Sequence, residues 1–262
     1  MKHEFTIIAL TTLVAVTALA QDSKVRPVAT DRGVAYLASQ QGTNGSWGSG
    51  ASSVYETAFA LAAFINNGEF LGSERYGTNV ENALKWLVDQ EPTNDLDKVS
   101  ILHALTAVYS LERIPSLKED IARRRAGVIA GRLAEPSATL FMITVPPEGC
   151  RSNRVGNTDA VHRYVSQQAG PEPLRLYLQT LAMYVDGGAQ WKSYIDQHLK
   201  PIYRSQETDG SFTRPKAQSK VESTAFAVLQ WSVFYRIWSE YIDMGFPSKP
   251  EHYLRAPNPG SE

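Results

Sequence analysis

Cysteine is almost missing from this sequence: Cys150 is the only one in 262 residues. No disulfide can close within the chain, so packing has to hold the fold even in an oxidising compartment. An excess of one charge is missing too. The 26 basic residues stand against 27 acidic ones, which removes the electrostatic case for nucleic acid or an anionic membrane surface as partner. Nor does the start of the chain supply the roughly 20 apolar residues that a membrane span needs. Its apolar run, from about Ile7 to Val16, is shorter and is interrupted by Thr11 and Thr12.

That start has a different character. Lys2 lies in a short polar opening, and the small-residue triplet Ala18-Leu19-Ala20 follows the apolar run. This predicts a secretory signal peptide over residues 1–20, cut before Gln21. No cysteine stands after the cut to carry a lipid. The expectation is a bacterial exported protein, periplasmic or extracellular, with no membrane span after cleavage.

Beyond Gln21 the apolar residues recur at helical spacing. From Asp31 to Gln40, Val34, Leu37 and Ala38 share one side of a helix, and "QGTNGSWG" stops it. The next segment, "YETAFALAAFINN", is apolar without a break from Ala58 to Ile65, and a helix apolar all round must be buried all round. The alternation repeats. "NVENALKWLVDQ" is amphipathic and "DKVSILHALTAVYSL" nearly all apolar; "SLKEDIARRRAGVIAGRL" keeps Ala122, Ala126, Ile129 and Leu133 on one face, and "PEPLRLYLQTLAMYV" is apolar again. In the last pair, Trp191, Tyr194, Ile195, His198, Leu199 and Ile202 form a stripe with Pro201 as a kink, before "VESTAFAVLQWSVFYRIW". The reading is all-α: four hairpins, each an outer amphipathic helix followed by an inner apolar one. They occupy residues 21–245, with a long loop at 134–170 and a Pro-rich extended tail at 246–262.

The first and fourth hairpins are copies. "SQQGTNGSWG" (39–48) and "SQETDGSFT" (205–213) place Gln41 and Trp47 as they place Gln206 and Phe212, with Gly45 and Gly210 between. Downstream, "ETAFALAAF" (56–64) aligns with "STAFAVLQW" (223–231). Internal repeats of this size indicate a solenoid or a toroid. The pattern resembles the QW repeats of squalene-hopene cyclases and protein prenyltransferase β-subunits, most sharply at residues 34–65 and 194–231. The resemblance implies an α/α toroid, complete or partial. It also implies that each Gln bonds to backbone around the next helix start while the aromatic packs beside it, a structural staple with no chemistry of its own.

The same resemblance suggests where catalysis would lie. Cyclases of this kind protonate a double bond with the middle Asp of DxDDTA at an inner-helix start; the starts here read "SVYETA" (53–58), "KVESTA" (220–225) and "DLDKVS" (95–100). Only the last comes close, with Asp97 as the acid and Asp95 as helper, but Lys98 replaces the next aspartate. A lysine there is expected to lower the Asp97 pKa, the opposite of what a strong general acid needs; the competing reading is that Asp95 and Asp97 cap the helix. Prenyltransferases bind zinc through Asp, Cys and His. Cys150, Asp159 and His162 do not match that spacing and read as ordinary loop residues, so neither metal nor cofactor is expected. His103 and His198 read as hydrogen-bonded core residues.

Exported α/α toroids also include polysaccharide lyases, and Arg151, Arg154 and Arg163, with His162 and Tyr164, form a polar loop able to grip an anionic group. The function expected is a non-catalytic binding or scaffold module, its partner a protein, a polysaccharide or an apolar ligand. The alternative is a reduced cyclase-like or lyase-like enzyme. A deep apolar cavity with a buried acid would favour the enzyme; a centre plugged by aromatics would favour the scaffold.

Overall fold

A computed structural model describes residues 28–129, 133–134, 137–138, 140, 161–167, 170–186 and 188–235. The expected signal peptide and the Pro-rich tail lie outside them. The described chain is all-α. Helix α1 covers residues 28–40; α2 is Ser53–Asn66, α3 Gly77–Val88, α4 Asp95–Glu112 and α5 Pro115–Ile129. A short α6 covers residues 161–166, followed by α7, Glu172–Asp186. The last outer helix is α8, Gly188–Tyr194, continued by a π-turn, Ile195–Leu199, and by α9, Lys200–Arg204; α10 is Lys220–Tyr235. Among the described residues the only β feature is an isolated bridge between Gln206 and Phe212, and no helix is long and apolar enough to cross a membrane.

The alternation of outer and inner helices follows from composition. In α2 every residue from Tyr55 to Asn66 is buried, whereas α3 buries Gly77, Val80, Ala83 and Leu87 on a single stripe. An all-apolar helix finds a place only where neighbours surround it, and a striped one lies over it from outside. Helix α2 accordingly packs between α4 and α10, and α10 packs on α7. Ring contacts complete a cycle through these four inner helices: Phe59 meets Phe226 at 4.4 Å and His103 at 5.6 Å, and Tyr177 meets Phe226 at 5.8 Å and His103 at 6.1 Å. One apolar core joins α1 through α5 to α7 and α10, and it takes in Leu140, Val161 and Tyr164.

Three sequence expectations change here. Residues 134–170 are not one irregular loop: 161–166 are helical, with Val161 and Tyr164 buried. In α5 the inward face carries Leu117 and Val128, while Ala122 and Ala126 are exposed. The reason is Arg124, whose side chain is only 8% exposed and pairs with Asp120 at 2.8 Å; a paired guanidinium occupies a face that a count of apolar residues assigns elsewhere. The irregularity of the last outer helix starts upstream of Pro201, in the π-turn. Proline lacks an N–H and its ring crowds the carbonyl four residues back, and the wider i→i+5 turn relieves both.

Candidate functional site

The two Gln-to-aromatic turns share one set of backbone and side-chain bonds. Gln41 Nε2 donates to Gly45 O at 2.8 Å and to Asn79 O at 3.0 Å, near the start of α3; Gln206 Nε2 donates to Gly210 O at 2.9 Å and to Ala29 O at 2.8 Å, near the start of α1. Asn44 and Asp209 each accept from the serine two residues on, by its N–H and its hydroxyl. The Trp47 and Phe212 N–H groups donate to Thr57 and Thr224 Oγ1 of the inner helices, at 2.8 and 2.9 Å. Gly45 has φ 90° and Gly210 φ 89°. A Cβ on either would come within 2.5 Å of a backbone oxygen, that of Asn82 or of Arg32. Only glycine allows that approach. The first turn is thus docked on α3 and the last on α1 in the same register.

The middle of the chain solves the same problem differently. Gln90 ends α3 as Gln41 ends α1, yet its side chain returns to Trp86 O of its own helix at 2.9 Å. Arg124 of α5 reaches back instead, to Val88 O at 2.7 Å and Gln90 O at 2.9 Å. It satisfies carbonyls that a helix end leaves open.

At the start of α4 the aspartates act within the helix. Asn94 is the N-cap: its Oδ1 accepts from Asp97 N–H at 2.8 Å, and its Nδ2 donates to Asp97 Oδ2 at 2.5 Å. The N-cap side chain thus satisfies one open N–H of the helix start and holds the Asp97 carboxylate as well. Lys98 pairs with Asp95 at 3.3 Å. Burial therefore raises the Asp97 pKa, with the Asn94 bond opposing it, which corrects the expected lowering by Lys98. His103 is a core residue as expected, but its Nε2 has no hydrogen-bond partner, and burial lowers its pKa to about 4. His198 is not core: it is exposed, with its ring 4.9 Å from that of Tyr194.

Of the expected contact residues, Arg151 and Arg154, like Cys150 and Asp159, lie outside the described residues. His162 Nε2 pairs with Asp186 Oδ2 of α7 at 2.7 Å, and Arg163 is exposed. Tyr164 is 1% exposed and belongs to the core, so it is removed from the contact surface. Among the described residues no group of three or more His, Cys, Asp or Glu is arranged to hold a metal.

Sequence reasoning missed the polar cluster at the start of α10. Glu222 is buried; its Oε2 accepts from Gln218 N–H at 2.5 Å, and its own N–H donates to Ser219 Oγ at 2.9 Å. The same hydroxyl donates to buried Glu56 of α2 at 2.9 Å. Burial raises the Glu222 pKa, and Glu56 adds to that effect. Nearby, Arg214 donates through Nη2 to Gln230 Oε1, and burial lowers its pKa to about 10. The available signal was a glutamate in the first turn of each of two largely apolar helices. No protein-family model matches the chain, and no match is found among curated proteins.

Proposed function

We propose that the chain is an exported repeat protein of the prenyltransferase and squalene-cyclase type, an α/α toroid serving as a non-catalytic binding or scaffold module. The observation that carries this reading is the cycle of four rings, Phe59, His103, Tyr177 and Phe226, at the meeting point of the inner helices. A cyclising or transferring enzyme needs that volume for an apolar substrate. Support for the toroid comes from the repeated docking of a Gln turn on an outer-helix start, α1 to α3 and then α9 back to α1. The partner is a protein, a polysaccharide or an apolar ligand, met by the outer surface and the segment bearing Arg151, Arg154 and Arg163.

One observation favours the enzyme as a second reading: Asp97 and Glu222 are buried acids with raised pKa. Product assays with squalene, and with prenyl diphosphates plus a peptide acceptor, distinguish the two. The scaffold reading expects no turnover, and turnover abolished by Asp97→Asn or Glu222→Gln would replace it with the enzyme.

A further inference from the structure

The sequence has two Asn-Gly pairs, Asn44-Gly45 and Asn67-Gly68. Asparagine is a chemically labile residue, and most so before glycine, because no Cβ on the glycine hinders its nitrogen from reaching the carboxamide. In that reaction the glycine N bonds to the asparagine Cγ, the Cγ–Nδ2 bond breaks, and Nδ2 leaves as ammonia with the amide proton. Water then opens the succinimide ring, at the side-chain carbonyl to give aspartate or at the main-chain carbonyl to give isoaspartate. Solvent supplies the one co-reactant, and Asn44 is exposed to it.

The first turn holds both reacting groups. Gly45 N–H donates to Gly42 O at 2.9 Å, and Gly42 N–H in turn to Ser46 O at 2.8 Å. Gly45 O is held by Gln41 Nε2 at 2.8 Å. On the other side, Asn44 Oδ1 accepts from Ser46 N–H at 3.1 Å and from Ser46 Oγ at 2.9 Å. For the ring to close, the amide has to give up its proton and the carboxamide has to swing onto it, so these bonds must break first. Gly45 is also buried, with the Asn82 carbonyl too close to admit even a Cβ, and the peptide has no room to rotate while α3 is in place.

The second copy of the turn shows how an aspartate behaves there. Asp209 stands where Asn44 does, before Gly210; its Oδ1 accepts from Ser211 N–H at 2.9 Å and from Ser211 Oγ at 2.6 Å, and Gly210 N–H donates to Glu207 O at 3.1 Å. The two Ser211 bonds, ahead of the nearby Lys220, hold the Asp209 carboxyl below its usual range. Ser46 offers the same two bonds to residue 44.

We propose that Asn44 is a deamidation site that the docked turn keeps closed: it converts when the turn leaves α3, and its aspartate product closes the turn again. The site is independent of what the outer surface binds, and it requires no chemistry at the centre of the helices.

Timed incubation of the full chain in mildly alkaline buffer tests it, read by peptide mapping with fragment-ion sequencing, which assigns the mass gained on exchange of NH2 for OH to one asparagine or the other. In the folded chain Asn44 should convert at least about tenfold more slowly than in the same chain unfolded in urea. Gln41→Ala, which loosens the hold of the turn on α3, should speed Asn44 about tenfold in the folded state. Asn67, anchored separately on Asp31 at 3.0 Å, should keep its rate in that variant, which tells opening of the turn apart from unfolding of the whole chain. Should Gln41→Ala fail to fold, Asn79→Ala, which removes only the donor to Gln41 Oε1, should speed Asn44 severalfold. Asn44→Asp should unfold at the wild-type denaturant midpoint, and Asn44→Ala, which gives up both Ser46 bonds, below it. Conversion of Asn44 in the folded wild type as fast as in urea would overturn the proposal. So would a rate indifferent to both turn variants, or an Asn44→Asp midpoint as low as that of Asn44→Ala.

Discussion

Trp47 and Phe212 occupy equivalent places, but only the tryptophan has a further bond, from Nε1 to Leu37 O at 2.7 Å. Its ring also leans on Phe64 at 5.7 Å and is almost fully buried. Trp47→Ala should therefore lower unfolding stability by about 3–5 kcal/mol. Gln41→Ala, which removes a donor from two carbonyls and the acceptor of Asn79 Nδ2, should lower it by about 1–3 kcal/mol. Denaturant titration measures both, and an unchanged midpoint for Trp47→Ala would contradict the account of the turn. His103 makes a different forecast. Its folded pKa of about 4 lies below the ordinary imidazole value of 6.5, so between those values the unfolded chain binds the extra proton. Stability is full above 6.5 and declines as pH falls towards 4, with a loss approaching about 3 kcal/mol. His103→Leu should flatten that part of the pH profile; equal slopes in the two proteins would show that the imidazole is not buried neutral.

The elements differ in how much of their placing is legible in sequence. Helices α2 and α10 were readable because unbroken apolar runs admit one environment, and the turns between because Gln, Gly and an aromatic recur at fixed spacing. The inward face of α5 was not readable, since Arg124 is covered only by pairing with Asp120 and bonding to the Val88 and Gln90 carbonyls. The polar cluster was not readable either: Tyr55 and Glu222 are far apart in sequence and meet only when α10 packs on α2. Expected effects at this scale are specific. Gly45→Ala and Gly210→Ala each combine a left-handed φ with a Cβ 2.5 Å from backbone, and each should cost more than about 2 kcal/mol. Gly50→Ala, at φ 58° with nothing within 4 Å, should cost only about 1 kcal/mol. Equal costs at all three sites, measured by thermal melts, would mean that the turns are not docked on the outer helices. Asn94→Ala removes the α4 cap and should cost about 1 kcal/mol.

At the scale of the molecule, the sequence leaves open whether the hairpins form a complete or a partial ring. Gln206 bonds to Ala29 O as Gln41 bonds to Asn79 O, so the last turn seats on the first helix as the first turn seats on α3. Phe59, His103, Tyr177 and Phe226 meet where the four inner helices come together. The central claim is that this meeting point is filled by the four rings, as the proposed non-catalytic reading requires. Benzene titration followed by methyl NMR tests that claim most directly, since a dry apolar cavity of engineered size takes up such probes. Phe226→Ala, which opens the centre, provides the positive control. The wild-type protein should show no saturable shifts while Phe226→Ala binds benzene; saturable shifts in wild-type methyls of Leu61, Leu102 or Val228 would reveal a cavity and contradict the account.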